Sequence, residues 1–261
     1  MARRLCGATR EELIEVNTIV DIDNVGKVYR GGSETIALAE VTLQIGRGEF
    51  TAIMGPSGSG KSTLLNLIAG LDRPSSGRIV VDGTELTSAG EGDLARYRRR
   101  RIGFVFQFFN LLPNLSVLDN VLVPAELAGT PRAEARARAV DLLEQLGIAH
   151  LRASYPARLS GGQQQRVAMA RAHVNQPALV LADEPTGSLD SHAGEQVMEL
   201  LEELNRRGQT VLLVTHDVTL ATAHGRRVIT LQDGRVVDDA RMETGRVVAP
   251  GELVRLGVEE G

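Results

Sequence analysis

The sequence predicts an α/β domain with a mainly parallel sheet, an N-terminal antiparallel β subdomain and an inserted helical subdomain. Three observations predict this class. The apolar runs ALVLA (178–182) and TVLLVT (210–215) are typical of strands that are buried on both faces of a parallel sheet. A helical pattern, HAGEQVMELLEELNRRG, lies between them and completes a βαβ unit. A glycine-rich loop, GPSGSGKS (55–62), joins a predicted strand to a predicted helix.

The first part of the chain contains short extended segments on both sides of this loop. VTLQI (41–45) alternates apolar and polar residues, which predicts a strand of the antiparallel subdomain. FTAIM (50–54) is predicted as the strand that leads into the loop, and KSTLLNLIAG (61–70) as the helix that follows it. RIVVDGTEL (78–86) is predicted as a hairpin, because an Asp-Gly pair suits a tight turn with positive φ.

The later part of the chain alternates between helices and strands. We expect the helical subdomain to be inserted at roughly 94–165, and it includes a helical pattern over 132–146. VITLQDGRVVD (228–238) is predicted as a closing hairpin around a second Asp-Gly turn.

Length and composition limit the class of protein. The 261 residues fit one domain over 1–261, with terminal extensions at 1–18 and 241–261 that match no known pattern. The net charge of -4 gives no support for nucleic-acid binding. The single cysteine, Cys6, excludes an internal disulfide and fits a reducing cytoplasm. No apolar run approaches the roughly 20 residues that span a bilayer, and the first residues lack the apolar core of a signal peptide. We therefore expect a cytoplasmic chain that can dock on a membrane protein.

The glycine-rich loop fits the pattern G-x-x-x-x-G-K-[ST], which binds nucleoside triphosphates. Its glycines let backbone N–H groups converge on phosphate oxygens, and the helix N-terminus adds partial positive charge. Lysine occurs only at positions 27 and 61 in a chain whose other basic residues are arginine, so composition does not explain Lys61. Lys61 is expected to reach the β- and γ-phosphates, and the Ser62 hydroxyl to bind Mg²⁺; the alternative is an ordinary glycine turn. The predicted ATP-binding residues here are Gly55, Pro56, Ser57, Gly58, Ser59, Gly60, Lys61, Ser62 and Thr63.

Two carboxylates end the ALVLA strand. We assign Asp183 to Mg²⁺ and Glu184 to the attacking water, because adjacent strand residues point to opposite faces and can serve two tasks. Pro185 is expected to end the strand. His216 follows the TVLLVT strand, and ligands in such sheets lie beyond the carboxyl ends of strands. The alternatives are an acidic turn for the carboxylates and a structural role for the histidine.

A second glycine-rich helix start lies at LSGGQ (159–163). Ser160 is expected to cap the helix, and such a helix end is able to bind an anion. A plain capped helix is the alternative. Because the first loop already holds a triphosphate from one side, a second anion-binding helix end suits the opposite side.

The ordered motifs resemble the ATP-binding subunit of an ABC transporter over roughly Ile19 to Asp238. The motifs are GPSGSGKS, Gln107, LSGGQ, LVLADEP, SLD (188–190) and His216. FVFQFFNLLPNLSVLDNV and LADEPTGSLD are similar to the macrolide-exporter and lipoprotein-release group, which includes a cell-division relative. The resemblance implies a P-loop NTPase fold with a RecA-like core, and it implies ATP hydrolysis that requires Mg²⁺. His173 departs from the family pattern, where relatives usually carry an apolar residue.

The resemblance also implies roles for single residues. ATP lies between two domains packed head to tail, so the chain is expected to form a homodimer. Tyr29 matches the aromatic residue that stacks on adenine, with a packing tyrosine as the alternative. Gln107 matches the residue that senses Mg²⁺ and the attacking water, Glu184 the catalytic base, and His216 the γ-phosphate contact. The residues expected to act on the ATP of the partner are Ser160, Gly161, Gly162, Gln163 and Asp190.

Four of the five phenylalanines lie between Phe104 and Phe109. Alternation predicts that Phe104 and Phe106 are core residues of a strand. Relatives use the following stretch, Phe108 to Leu112, as a groove for a short cytoplasmic helix of the membrane partner, so we expect a permease to dock there. The arginine run RYRRRR (96–101) is interpreted as a solvated helix face, with an anionic surface as the alternative.

These features lead to one main hypothesis and one alternative. The main hypothesis is an ATPase subunit that dimerises on ATP and drives a membrane partner of the exporter or lipoprotein-release type. The alternative is an ATP-switched regulator of a membrane partner, similar to the cell-division relative, that moves no substrate. Two other classes are disfavoured. ABC ATPases of DNA repair or translation carry coiled-coil arms or two ATP domains per chain, and this sequence shows neither. A kinase or GTPase would leave LSGGQ unexplained. In either hypothesis the chain is expected on the inner face of the membrane, held there by its partner.

Overall fold

The computed structural model describes residues 17–31 and 33–242. The predictions for Cys6 and for most of both terminal extensions lie outside the described residues. Within them, the chain forms ten strands in two sheets. The strands are β1 (Thr18–Gly31), β2 (Ser33–Gly46), β3 (Phe50–Met54), β4 (Ser76–Val81), β5 (Thr84–Glu85), β6 (Ile102–Phe106), β7 (Leu179–Asp183), β8 (Thr210–Val214), β9 (Arg227–Gln232) and β10 (Arg235–Arg241).

Seven α-helices and two short 3₁₀ turns are present in the same residues. The helices are α1 (Lys61–Ile68), α2 (Glu91–Arg101), α3 (Val117–Leu127), α4 (Arg132–Gln145), α5 (Gly161–His173), α6 (Ser191–Arg206) and α7 (Val218–His224). The 3₁₀ turns are Ala149–Leu151 and Pro156–Arg158. None of the helices in the described part of the chain combines the length and the apolar character needed to cross a bilayer.

The larger sheet has the order β10-β9-β3-β8-β7-β6 and is parallel except for β10. Its central strands β3 and β8 are buried along their whole length, as the apolar run 210–215 predicts for β8. The sheet separates two apolar cores: Ala52 and Leu213 face the core that includes helices α3 to α6, whereas Ile53 and Leu212 face the core that includes α1 and the smaller sheet. The predicted mainly parallel α/β fold is therefore confirmed.

The smaller sheet is antiparallel, with the order β2-β1-β4-β5, and it is the predicted N-terminal β subdomain. Both predicted hairpins form. Asp82 and Gly83 join β4 to β5 with φ of 47° and 73°, and Asp233 and Gly234 join β9 to β10 with φ of 47° and 74°. The positive φ of both pairs is the conformation that an Asp-Gly turn requires.

The strand β6 changes two predictions. It pairs with β7 at the edge of the parallel sheet, although it lies within the predicted insertion 94–165, so we place the start of the helical subdomain after Phe106. The prediction that Phe104 and Phe106 are core residues is confirmed only in part: Phe104 is half-buried and packs against the core that includes α1 and the smaller sheet. Phe106 is half-buried and stacks on Phe104, with ring centroids 4.2 Å apart, and the fully buried residues of this edge strand are Gly103 and Val105.

The arginine run lies on helix α2, as predicted, and its side chains have partners in the chain. Arg98 donates to the carbonyl of Gly70, Arg99 to that of Leu127, and Arg101 pairs with Asp82. These contacts join α2 to neighbouring elements, so they favour the structural interpretation of the run over an anion-binding surface.

Candidate functional site

The glycine-rich loop follows β3 and wraps the N-terminus of α1. Gly55, Gly58 and Gly60 have φ of 140°, 79° and 102°, a region that side chains rarely allow. A Cβ on Gly60 would lie 2.4 Å from the carbonyl oxygen of Ala37, so the loop packs directly against β2. Gly234 in the final hairpin donates its N–H to the carbonyl of Ser59 at 3.1 Å. The loop is thus fixed from two sides.

Lys61 begins helix α1 and folds back over the loop. Its Nζ donates to the carbonyl oxygens of Gly55 and Pro56 at 2.7 and 2.9 Å, and only 9% of the residue is exposed. Burial lowers the pKa of Lys61, although the charges of Glu184 and Asp183 act to raise it. The ammonium group is therefore held at the mouth of the loop, where phosphate oxygens would be stronger partners than carbonyls.

Asp183 and Ser62 lie together although 121 positions separate them. Ser62 Oγ donates to Asp183 Oδ1 at 3.3 Å, because β7 ends beside the start of α1. Burial raises the pKa of Asp183, the hydrogen bond from Ser62 lowers it, and its net direction is upward. A nearby cation would favour the ionised carboxylate.

The Ser62 hydroxyl and the Asp183 carboxylate fit a Mg²⁺ ion of the type that is bound at nucleotide sites. Mg²⁺ in nucleotide sites binds through one or two protein oxygens together with substrate phosphates and waters. Within 17–31 and 33–242 no cluster of three or more His, Cys, Asp or Glu side chains could hold a metal ion. Ser62 and Asp183 are oxygen ligands of the type that would hold such a metal together with the phosphates of a nucleotide.

Glu184 lies beyond the strand, so the prediction that it and Asp183 alternate on opposite strand faces is wrong. β7 ends at Asp183, and Glu184 takes a left-handed conformation with φ of 47°. Its N–H donates to the carbonyl of Val214 at 2.9 Å, and its carbonyl accepts from Gly187 at 3.0 Å. His216 Nδ1 lies 3.0 Å from Glu184 Oε2. The turn, rather than strand alternation, separates the two carboxylates.

Gln107 follows β6 and lies against the segment after Glu184. Ser188 Oγ donates to the carbonyl of Gln107 at 2.7 Å. A Cβ on Gly187 would lie 2.8 Å from Gln107 Nε2, so the amide side chain packs on this glycine. Gln107 is thereby joined to the same turn that holds Glu184.

The second glycine-rich helix start forms the predicted N-terminal cap. Ser160 Oγ accepts from the N–H of Gln163 at 3.3 Å, and Gln163 Oε1 accepts from the N–H of Ser160 at 3.0 Å, which is a complete capping box. Asp190 caps α6 in the same way through the N–H of Ala193. Both caps border one open cleft of ≈ 440 Å³, whose lining also includes Gly161, Gly162 and Ser188 and none of residues 55–63. The first glycine-rich loop thus does not line the cleft at the second helix start.

Two further residues of α5 hold this region, and neither was predicted from the sequence. Gln165 is fully buried and donates its amide to the carbonyl of Pro185 at 2.7 Å. Arg171 donates to the carbonyls of Phe109 and Asn110 at 2.8 and 2.5 Å, and both of those residues have positive φ. Helical spacing places Gln165 on the same face as buried Ala168 and Met169. This spacing is the sequence feature that could have predicted the burial of Gln165.

Comparisons with known families agree with this geometry. The family model described as "ABC transporter" matches residues 38–187. The macrolide export ATP-binding/permease protein MacB 1/2 of Paracoccus denitrificans is 50% identical over 224 residues, which cover 85% of this chain and 33% of that protein. An ABC transporter ATP-binding protein of Mycobacterium tuberculosis is 45% identical over 227 residues, 86% of this chain and 91% of that protein. The chain thus spans about a third of the matched macrolide exporter.

Solved structures have the same fold. A dimeric ATP-binding cassette in a post-hydrolysis state, bound to ADP and Pi, has a TM-score of 0.79 and 44% identity, over 86% of this chain and 99% of that one. The protein cbiO1 from Clostridium perfringens, part of the ABC transporter complex cbiONQ, has a TM-score of 0.80 and 33% identity, over 92% of this chain and 94% of that one.

Proposed function

The chain belongs to the ABC transporter family, and from this membership we propose that it is the ATP-hydrolysing subunit of an export complex whose other part spans the membrane. ATP hydrolysis and the ATP-binding cassette fold are common to the family. The macrolide and pyoverdine exporters that the chain matches favour export as the output. The proposed location is the inner face of the membrane, where the partner would hold the chain.

One observation carries the proposed chemistry: the pairs Ser62–Asp183 and Glu184–His216 meet at the carboxyl ends of neighbouring parallel strands. Phosphoryl transfer needs mainly positioning and charge stabilisation, which such a site supplies. Lys61 would exchange its two carbonyl partners for β- and γ-phosphate oxygens. Ser62 and Asp183 would hold Mg²⁺, which neutralises charge on the phosphates when it is bound.

The same turn would orient the attacking water. His216 holds Oε2 of Glu184, which leaves Oε1 to accept a proton from water as the γ-phosphate is transferred. Gln107, joined to this turn through Ser188 and Gly187, would complete the position of the water. Adenine would stack on Tyr29, as the resemblance implies.

The second helix start would act on the ATP of a partner copy. Ser160 and Asp190 border a cleft that contains no residue of the first loop, and the related cassette of known structure is dimeric. In a head-to-tail pair, the free N–H groups at the start of α5 would contact the γ-phosphate held by the other protomer. The homodimer is therefore part of the proposed mechanism.

Replacing Ser160 by arginine tests this arrangement. The monomer is expected to bind ATP as tightly as the wild type, because Ser160 is not part of its own phosphate loop. Hydrolysis is expected to fall by about 100-fold or more, the cost of losing a positioned donor at the transition state. The measurements are ATP affinity by calorimetry and phosphate release, with Ala157→Arg, an exposed position in the preceding turn, as the control. Loss of ATP binding in monomeric Ser160→Arg would mean that the second start serves its own chain.

The proposed docking surface for the membrane partner comprises Phe108 and Leu112, which are 72% and 46% exposed. Buried Asn120 holds the part of this loop that carries Leu112, because it accepts from the N–H of Leu112 and donates to the carbonyls of Leu112, Leu115 and Ser116. The surface adjoins Gln107, which Ser188 joins to the turn that holds Glu184. Movement of a docked helix would therefore reach that turn through Gln107.

Replacing Phe108 by aspartate is expected to remove the membrane partner. Loss of a central aromatic anchor costs about 2 kcal/mol or more, which corresponds to roughly 30-fold in affinity. The measurement is co-purification of the full chain with membranes of its own cells, compared with ATP hydrolysis by the purified variant, which is expected to be unchanged. Ile36→Asp, which changes another exposed apolar residue on β2, is the control. Equal membrane recovery of both variants would place the docking surface elsewhere.

A further inference from the structure

The chain has two lysines, Lys27 and Lys61. Lys27 is as buried as Lys61, the lysine of the phosphate loop. It lies on β1, and 9% of the residue is exposed. Its Nζ donates to Asp72 Oδ1 at 2.6 Å and to the carbonyl of Arg73 at 2.8 Å. Asp72 lies after helix α1, so this ion pair joins the β subdomain to the element that begins at the phosphate loop. The Lys27 side chain is nearly buried and that of Asp72 is half-buried, and an ion pair of this kind is weak support for a role in stability alone.

Lys27 and Asp72 both contact the side chain of Tyr29. Lys27 Nζ lies 4.7 Å from the centroid of the Tyr29 ring, over its face. The Tyr29 hydroxyl donates to Asp72 Oδ2 at 2.9 Å, so the two oxygens of one carboxylate hold the ammonium group and the phenol. The ring is therefore fixed both on one face and at its tip.

The fixed ring lies beside the phosphate loop. Thr63, in the first turn of α1, lies near enough to the Tyr29 hydroxyl to lower its pKa, against the larger upward effects of burial and of Asp72. Although Lys27 covers one face, 42% of Tyr29 remains exposed. A flat group that extended from a triphosphate in the loop would meet this exposed part of the ring.

We propose that Lys27 and Asp72 are positioning residues for the nucleobase, which hold the Tyr29 ring in the orientation that stacks on it. The inference rests on the proposed binding of ATP and deepens it. A ring that is already fixed loses less side-chain freedom when the base binds. The cation on one face also withdraws π-electron density, which makes the other face a better partner for an electron-rich purine.

The charge state and the size of the groups agree with this role. Burial raises the pKa of Asp72, but hydrogen bonds from Lys27, from the Arg73 N–H and from Tyr29 lower it further, and the net direction is downward. The carboxylate is thus ionised at neutral pH. A lysine ammonium is a compact charge that fits under a ring and bonds two oxygens, whereas a planar guanidinium needs more room. This explains why a chain rich in arginine uses lysine here.

The test compares two ligands that share the triphosphate and differ in the presence of the nucleoside. Calorimetry measures the affinity of Mg-ATP and of Mg-tripolyphosphate, which has the phosphates without the nucleoside, for the wild type, Lys27→Met, Asp72→Asn and Tyr29→Ala. Lys27→Met keeps the length of the side chain and removes its charge. We expect Lys27→Met and Asp72→Asn to weaken ATP by about five- to tenfold and to leave tripolyphosphate unchanged. In the Tyr29→Ala background, Lys27→Met is expected to have no further effect on ATP.

Three results would overturn the inference. Equal weakening of both ligands by Lys27→Met would assign the pair to support of the phosphate loop. An unchanged ATP affinity would remove any role in base binding, as would a full Lys27→Met effect in the Tyr29→Ala background. Tripolyphosphate binding also shows that a variant is folded. Failure of the proposed function can be told apart from failure of this inference, because it would appear as an unchanged ATP affinity of Lys61→Ala.

Discussion

Glu184→Gln is expected to bind Mg-ATP normally and to hydrolyse it about a hundredfold to ten-thousandfold more slowly, the range that a general base contributes. Glutamine keeps the size of the side chain and can still contact His216, so the left-handed turn that Val214 and Gly187 hold should persist. Only the ability to accept a proton from water is lost. Because ATP stays intact between the two phosphate-binding surfaces, the variant should accumulate as a dimer.

The measurements for Glu184→Gln are phosphate release and the molecular mass in solution with saturating Mg-ATP. Glu144→Gln removes an exposed carboxylate of helix α4 and should behave as the wild type in both. A Glu184→Gln protein that remained monomeric and turned over ATP at the normal rate would show that Glu184 does not activate the water. A Glu184→Gln protein that hydrolysed ATP slowly but stayed monomeric would support the catalytic role of Glu184 and contradict only the expected dimer.

Lys61→Ala is expected to lose tight binding of ATP. In the structure the ammonium group bonds only the loop carbonyls of Gly55 and Pro56, and both bonds would be exchanged for phosphate oxygens. Hydrogen bonds to charged groups contribute about 1.5–3 kcal/mol each, so the loss of two predicts a fall in affinity of roughly 100-fold or more. The fold should remain, because the glycine conformations and the Gly234 N–H hold the loop independently of the lysine.

Calorimetric titration with Mg-ATP measures this loss, and thermal unfolding without nucleotide checks the fold. Arg136→Ala removes an exposed cation of α4 and is the matched control for charge. We expect the unfolding temperatures of both variants to lie close to that of the wild type. Unchanged ATP affinity in Lys61→Ala would contradict the assignment of the glycine loop to phosphate binding.

The sequence predicted those parts of the site that depend on neighbouring residues. The phosphate loop, the Asp-Gly turns and the capping box at Ser160 each need only a few adjacent residues to set their conformation. The buried strands β7 and β8 were equally clear, because two-sided burial requires an apolar residue at every position. The roles assigned to single residues remain predictions until the variants are measured.

The features that the sequence did not predict depend on distant partners. Lys27 and Asp72 are 45 positions apart, and nothing in the local pattern of either residue indicates the other. The incomplete burial of Phe104 and Phe106 depends on β6 being an edge strand, which the alternation of its own residues cannot reveal. The placement of Glu184 outside β7 likewise depends on a hydrogen bond to Val214, in another strand.

The order of strands in the parallel sheet has a consequence for how the chain is made. β3, the strand that carries the phosphate loop, pairs only with β8 and β9, whose residues come more than 150 positions later. On the ribosome, this largely apolar strand must therefore wait with both edges open until the residues of β8 have been synthesised. Any chain that stops before Thr210 would expose them as an unpaired strand. Nascent chains of this protein should therefore need protection from aggregation in the interval between the synthesis of β3 and that of β8, and the ability to bind nucleotide should arise only after β8 has been made.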